Sequence, residues 1–593
     1  MTTDDVKKVD ILIIGAGPVG LYFALRMKAN GHTFRIVDIK EEATDETRAT
    51  SLTARTMEIL QNQKLAHYIL QNSQILQGTQ IFANGKFRGQ MNIDGDTSFP
   101  QITSIAQRET EKIFAKLLDE DRIDRHTKLV SYKQNKDGVE AVVQDLYSGE
   151  EETIHANYIV GADGTHSAVR KLDPSWTYDG YSISTRFAIG DVSIEGKDAH
   201  QIPRTRGTIF INAKGIGGFI PVEEETTVKG VFYYRFLCTL SKYEVETGKT
   251  TTDPTHGIDH NDKNISVEQV QSLMSDAMHP LDLKIQSTRH LSIFRINGRK
   301  ANGFRRSRAF LVGDSAHCHS PFGGQGLNLG LQDADNLSWK LSLVLKGIAK
   351  SSETLLDSYT DEREPIVDLT MKGTSSGTKT SVMFSNLVAH RDFNYAGNLN
   401  TKIPRESILL HQESTKNFII PGEFMRETTI LRKRIINNQG LERKTLHDIL
   451  QSEITQYSVI WISTRPVSQA PCEWTKDFWN KYQVNYRSST VVRPIIVESA
   501  VHATQCKIPK YVTAKKTINL SKTKKNVENT FWVEEQWNIQ NSITQRTGLD
   551  KYMWEKPETP AAIVIVRPDL YVAYSSLVRS PNDIDQAFEF LNS

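Results

Sequence analysis

Four cysteines in 593 residues, none in a C-x-x-C pair, are too few for a disulfide scaffold or a dithiol redox motif. Cys238, Cys318, Cys472 and Cys506 stand singly, which fits a reducing compartment and predicts a cytoplasmic protein. No apolar run reaches the roughly 18 residues that a membrane helix needs. The opening MTTDDVKKVD has no apolar core of the kind that marks a secretory leader, so no membrane association is expected. Charge of one sign is lacking too. With 72 basic against 70 acidic residues the formal charge is +2, which offers no electrostatic case for nucleic acid or an anionic membrane. Repeats and low-complexity blocks are absent, and the Lys-rich run 507–525 reads as a solvated loop. At about 100–200 residues per domain, the length predicts three or four units.

What the chain does have is glycine at particular places. Ile11 to Ile14 is a continuous apolar run, the pattern of a strand buried on both faces. GAGPVG follows, from Gly15 to Gly20 with Pro18 inside it, and then an apolar-periodic helix that stops at Asn30 and Gly31. In a strand-turn-helix of this kind Gly15 permits the tight turn, Gly17 lets the backbone approach a pyrophosphate, and Gly20 lets helix and strand pack closely. The helix N-terminus offers free N–H groups to the phosphates. A second strand, Phe34 to Val37, ends in Asp38, where a carboxylate can accept ribose hydroxyls. The pattern points to a dinucleotide and leaves NAD and FAD open.

Two later segments bear on that choice. YIVGADGTHSAVR, Tyr158 to Arg170, is a strand running into a turn at Asp163 and Gly164. RAFLVGDSAHCHSPFGGQGLNLGLQDADNLSWKL, from Arg308, is a third strand with Asp314 at its end, then a glycine loop and a long helix. Leu327, Leu331, Ala334, Leu337, Leu341 and Val344 predict one buried face for that helix. The His317-Cys318-His319 run inside this segment raises the question of a metal. Zinc ligands are spaced so that they converge, and adjacent residues point apart. No second Cys/His pair lies nearby, so no metal is expected, and His317 is read as satisfying backbone groups.

Together these three segments resemble the single-component flavoprotein aromatic hydroxylases, the para-hydroxybenzoate and phenol hydroxylase family. The resemblance covers roughly the first 400 residues and, more faintly, the tail. It implies FAD as cofactor, with the ADP half held by Gly15, Gly17, Pro18, Gly20 and Asp38, and Asp163 and Gly164 serving both FAD and NADPH. It further implies that Asp314 contacts the ribityl chain and that Pro321, Gly324, Gly326, Leu327 and Asn328 lie beside the isoalloxazine ring. Arg48 and Gln107 match two more FAD contacts, and His166 and Arg299 align with contacts to the NADPH phosphate. The N-terminus of a helix starting near Gly326 would stabilise the negative charge of reduced flavin. No second strand-flanked GxGxxG exists, so NADPH is expected as a transient co-substrate rather than the occupant of its own domain. The implied reaction hydroxylates a phenolic or related small aromatic substrate with O2 through a flavin C4a-hydroperoxide. An oxidase, reductase or dearomatising oxygenase, or an FAD-containing scaffold protein, remain as alternatives.

The implied fold is α/β: a Rossmann-like FAD-binding domain with an inserted mixed β-sheet substrate domain and a thioredoxin-like C-terminal domain. The expected division is 1–172 (with 78–105 joining the substrate sheet), 173–295, 296–400, a linker with helices at 401–440, and 441–593. VKGVFYYRFLC alternates like a strand, with Tyr233 and Arg235 on one face and Tyr234 on the other. A Tyr, Arg or His beside a phenol hydroxyl could activate it, which makes Tyr233, Arg235, Tyr181 and His319 the substrate-side candidates. Thr50 stands where phenol hydroxylase-like members carry an Asp that assists the phenol, and Thr53 where many carry Gln, which argues against simple phenol. In the tail, YSVIWIS and VVRPIIVE read as buried strands, and residues from Thr559 as a hairpin turning at Arg567 to Leu570. Pro560 matches the cis proline of a thioredoxin fold. Without C-x-x-C this tail is read as structural and as contributing to a homodimer.

Overall fold

The computed structural model describes residues 8–43, 49–92, 97–211, 216–225, 228–240, 245–246, 257–258, 265–319, 324–383, 402–404, 406–411, 419–428, 431–433, 443–466, 473–500, 530–535, 541–552 and 561–592. Arg48, Pro321, Pro560 and the run 507–525 lie outside the described residues.

Val9–Ile14 (β1), Pro18–Ala29 (α1) and Phe34–Val37 (β2) form the first unit, with β1 and β2 parallel and Ile11 opposite Phe34. Ala54–Asn62 (α2) follows. The chain then leaves this sheet for another through Gly78–Ala83 (β3) and Lys86–Asn92 (β4), and returns through Gln107–Leu118 (α3) and Glu151–Gly161 (β5). A second excursion comprises Tyr178–Glu195 (β6), Gly207–Ile211 (β7), Ile216–Glu225 (β8), Phe232–Thr239 (β9), Val267–Met278 (α4) and Lys284–Ala301 (β10). Ala309–Leu311 (β11) then re-enters the first sheet, and His317–Cys318 (β12), Gln325–Leu345 (α5) and Ser352–Met383 (α6) complete this part.

In the first sheet β2, β1, β5 and β11 are parallel neighbours in that order. Ile11, Leu12 and Ile13 are fully buried, because neighbours occupy both edges of β1 and helices lie on its faces. The second sheet runs β10, β6, β9, β8, β7, β3, β4, so two separate stretches of chain build it. Alternation along β9 decides its two faces. Tyr234, Phe236 and Cys238 join Phe82, Phe210, Phe219 and the buried side of α4 in one core. Leu237 lies on the other face, packed with Phe187, Ile296, Phe294 and Tyr181.

The tail forms a third sheet. Tyr457–Pro466 (β13) pairs in parallel with Val492–Ala500 (β14) across the connecting helix Glu473–Tyr486 (α7), and β14 pairs in parallel with Phe531–Glu535 (β15). Ala561–Val566 (β16) and Val572–Val578 (β17) are antiparallel additions on the far edge of β13, followed by Pro581–Asn592 (α8). All six residues of β16 are buried, since a separate apolar core packs on each face of the sheet. The hairpin turn is where the sequence places it: Leu570 N donates to Arg567 O at 3.0 Å. Among the described residues no helix is long and apolar enough to cross a membrane.

Candidate functional site

The three glycines of the first loop stand in different surroundings. At Gly15 (φ +104°) a Cβ would sit 2.4 Å from Ala162 O, so β5 approaches too closely for a side chain. At Gly20 a Cβ would lie 2.0 Å from Gly15 O and 3.2 Å from Ala162 Cβ, so helix and strand meet there. Gly17 differs: a Cβ would meet nothing within 4 Å. Protein packing therefore does not explain the missing side chain at Gly17, and open space lies in front of its backbone. Pro18 begins α1 and costs no hydrogen bond there. The half-buried Asp38 accepts from Ala16 N at 2.6 Å and Lys40 N at 2.8 Å, which holds its carboxylate against the loop with lone pairs to spare.

The second turn lies alongside the first, because β5 pairs with β1. Asp163 Oδ2 accepts from Ala168 N at 2.6 Å, whereas its Oδ1 is buried without a partner. Burial pushes this carboxyl above its ordinary range. An orphaned buried acceptor and an open glycine backbone on neighbouring strand ends are what a dinucleotide would complete. Gly164 takes φ +73°. His166 in the same turn is exposed, while Arg299 on β10 is buried.

The third segment is laced to the second. Ser315 Oγ donates to Gly161 O at 2.6 Å, and the Arg170 guanidinium donates to Ser315 O and, at 2.6 Å, to Thr165 O. Arg170 also stacks 3.7 Å from the ring centre of Tyr178, whose hydroxyl donates to Asp314 O at 3.1 Å. Asp314 thus sits half-buried in a fastened turn, Gly313–Ser315. His317 finds a carboxylate rather than the backbone groups expected of it: Nε2 lies 2.7 Å from Asp333 Oδ2. Asp333 also accepts from Gly313 N at 3.2 Å and from Arg363 Nε at 2.7 Å. A buried aspartate on α5 therefore grips the turn that carries Asp314. Burial pushes the thiols of Cys318 and Cys238 up to about 12, which leaves neither available as a nucleophile.

α5 starts at Gln325 behind Gly324, a left-handed residue (φ +63°), and among the described residues no side-chain hydrogen bond caps its first turn. Space is open in front of Gly326, and Leu327 is buried. Asn328 spends its side chain within the protein. Its Nδ2 donates to Ser51 O at 2.8 Å and Gly324 O at 2.6 Å, and its Oδ1 accepts from Thr53 N at 2.8 Å. Asn328 and Thr53 together hold the segment after residue 48 against the helix start. Gln107 begins α3, with Nε2 donating to Glu111 Oε1 at 2.8 Å.

On the second sheet the four substrate-side candidates fall into two groups. Tyr181 pairs with Gly298, and its ring occupies the place of the missing Cβ, which would come 2.3 Å from Cζ. β12 pairs Cys318 with Arg299, so the next position in that register, His319 with Gly298, is the row Tyr181 occupies. Tyr181 and the buried His319 therefore share the end of the sheet nearest the glycine loop. Tyr233 and Arg235 lie elsewhere. Arg235 Nε donates to Asp191 Oδ1 at 2.6 Å, Arg289 reaches Asp191 Oδ2 at 3.3 Å, and Arg289 lies 4.6 Å from the Tyr233 ring centre. Asp191 is ten positions from Tyr181 along β6, about 30 Å for an extended strand.

The sequence reading missed the polar side of α5. Its periodicity predicts one buried face, but Leu327 and Asn328 through Leu343 are buried all round. Besides Asp333, Asp335 accepts from Tyr22 OH at 2.7 Å and lies 3.7 Å from Arg26, and burial pushes its carboxyl up to about 6. The signal was present as D-A-D-N-L-S-W-K, polar residues on every side of a helix. An Asp314→Ala variant is expected to purify colourless, as its absorbance spectrum will show; a fully yellow preparation would overturn this placement of the cofactor.

Comparison with known proteins agrees with the geometry. The family described as FAD binding domain matches residues 8–374. A rifampicin monooxygenase of Rhodococcus hoagii is 32% identical over 365 residues, covering 60% of this chain and 68% of the relative. A pentachlorophenol 4-monooxygenase of Sphingobium chlorophenolicum is 29% identical over 380 residues, covering 61% of this chain and 63% of the relative. In fold, the chain is similar to the flavin-dependent monooxygenase PieE, solved in complex with FAD and substrate. The TM-score is 0.67 at 16% identity, over 99% of this chain and 98% of the other.

Proposed function

The chain belongs to the FAD binding domain family of flavin-dependent monooxygenases, and on that premise we propose that it hydroxylates a phenolic or related aromatic compound with NADPH and O2. FAD, when bound, supplies electron storage and oxygen activation. Gly17, Asp38 and Asp163 would hold its ADP half, and Asp314, Gly324, Gly326 and the first turn of α5 its flavin half. Arg48 and Pro321 join this set by resemblance alone. The observation that carries the reading is the convergence of three sequence-distant turns: Gly17 and Gly326 stand open, Asp163 keeps an unused oxygen, and the third turn is joined to the second sheet through Tyr178 and β12.

On that sheet the inserted segment serves as the substrate domain. Phe187, Leu237, Phe294 and Ile296 offer an apolar surface for a ring, and water excluded from such a surface cannot divert the oxidant. Tyr181 and His319 stand at the end nearest the glycine loop and would orient or deprotonate a phenol hydroxyl; Tyr233 and Arg235 would meet only a longer substrate. Parallel β15, β14 and β13 followed by the antiparallel β16–β17 hairpin support a thioredoxin-like reading of the tail. NADPH as donor and single buried thiols suit a cytosolic setting.

Anaerobic stopped-flow reduction of the holoenzyme by NADPH tests the proposal against phenols, benzoates and polycyclic phenolics. One class is expected to accelerate flavin reduction at least about tenfold, some 1.4 kcal/mol of barrier. Reduction equally fast without any compound would favour an oxidase or reductase, and no reduction at all would remove NADPH.

A further inference from the structure

The far half of α5 is held by the tail. Glu362 of α6, fully buried, accepts from Arg567 Nη1 at 2.7 Å and Nη2 at 2.8 Å, Lys340 Nζ at 2.9 Å, Asn336 Nδ2 at 2.9 Å and Ser407 Oγ at 2.7 Å. Arg567 also donates to Asp569, at 2.9 Å from Nε and 2.7 Å from Nη2. Asp569 Oδ2 in turn accepts from Trp339 Nε1 and Asn336 Nδ2, both at 3.1 Å. Two cations and two carboxylates thus close a neutral set with no side chain more than 3% exposed. Arg567 and Asp569 form the tip of the β16–β17 hairpin, whereas Asn336, Trp339 and Lys340 all belong to α5.

Such a set is an uneconomical way to hold two modules together, since apolar residues of equal volume often stabilise as well or better. What it adds is geometry, because a bidentate guanidinium–carboxylate pair tolerates one arrangement. α5 is a continuous rod, and Lys340 lies about 22 Å along it from Gln325. Near its start Gly330 has no room to spare: a Cβ there would lie 2.8 Å from Val19 Cγ2 and 3.1 Å from Gly313 Cα. A shift of the rod at Lys340 therefore moves its N-terminus against both the first glycine loop and the Asp314 turn.

We propose that Arg567 is a positioning residue for the flavin site, and that the tail acts through it as a clamp that sets the seat of α5. The inference rests on the reading that the flavin half of FAD lies at the Gly324 end of this helix. Its test uses the holoenzyme with Arg567→Met and Glu362→Gln combined, which removes one cation and one anion and keeps the set neutral. FAD dissociation constant, flavin midpoint potential and thermal melting are measured together. FAD binding is expected to weaken at least about tenfold. The midpoint potential is expected to move negative by about 30 mV, a tenfold change for a two-electron couple, because the helix end no longer sits where it stabilises the charge of reduced flavin. Wild-type binding and potential, whatever the melting temperature, would overturn the proposal. Should the double variant fail to fold, Arg567→Lys decides. It keeps the charge and loses the fork, so a smaller shift in the same direction is expected, and wild-type values sink the idea. Retention of FAD by Asp314→Ala would instead remove the cofactor placement, which separates the two failures.

Discussion

A Gly17→Ala variant is expected to fold like the wild-type chain and to lose FAD, whereas Gly20→Ala, three residues on, loses both the cofactor and the soluble fold. Gly17 has φ −71° and ψ 177°, an extended conformation open to any residue, and a Cβ there meets no protein atom within 4 Å. Among the described residues nothing objects to that methyl group. A pyrophosphate approaching the backbone would, and FAD affinity should fall at least about tenfold, or 1.4 kcal/mol. At Gly20 the objection comes from the protein, since a Cβ 2.0 Å from Gly15 O forces α1 away from β1. Thermal melting of the apoproteins and titration with FAD distinguish the two effects. Unchanged FAD affinity in Gly17→Ala would mean that the cofactor does not approach this loop.

Glu362→Ala is expected to cost about 3–5 kcal/mol, the range for removing one partner from a buried ion pair. The carboxylate is held far below its ordinary range by Arg567 and Lys340 despite its burial, and burial already lowers Lys340 to about 8. Without Glu362, Arg567 keeps Asp569 as its ion-pair partner, whereas the buried Lys340 loses the carboxylate it touches. The contrast is Glu353→Ala on the surface. Glu353 meets Arg305 at 2.7 Å, but its side chain is 76% exposed, so water replaces the contact and the loss should stay below about 1 kcal/mol. Urea unfolding of both variants, with FAD saturating, measures the difference as a shift in midpoint. Equal shifts would mean that the buried set carries no more than a surface pair.

The two variants touch different kinds of information in the chain. β1, α1 and β2, the stop at Asn30, the carboxylate at Asp38, the two faces of β9 and the turn at Arg567 are all legible in short stretches of sequence. Each depends on a local rule: the period of apolar residues, or a backbone conformation or close approach that glycine alone permits. The site read less completely. Its glycines and acids stand out because they recur at fixed spacing beside strand ends, and at Gly15 and Gly20 the backbone itself leaves no room for a side chain. The commitment of Asn328 to Ser51 and Thr53, the attachment of His317 to Asp333, and the separation of Arg235 from Tyr181 could not be read in the same way.

By itself, then, the sequence marked the glycine turns with the strands and helices that flank them and pointed to a dinucleotide, and its resemblance to a family narrowed that to FAD. Only the tertiary structure decided which buried polar groups and charges meet, because the partner of a desolvated group is chosen by how distant segments dock. Asn328 finds Thr53 across 275 residues, and Arg567 finds Glu362 across 205. No local periodicity encodes such a pairing. It follows from the requirement that every polar or charged group taken out of water find a partner, and the fold alone brings that partner within reach.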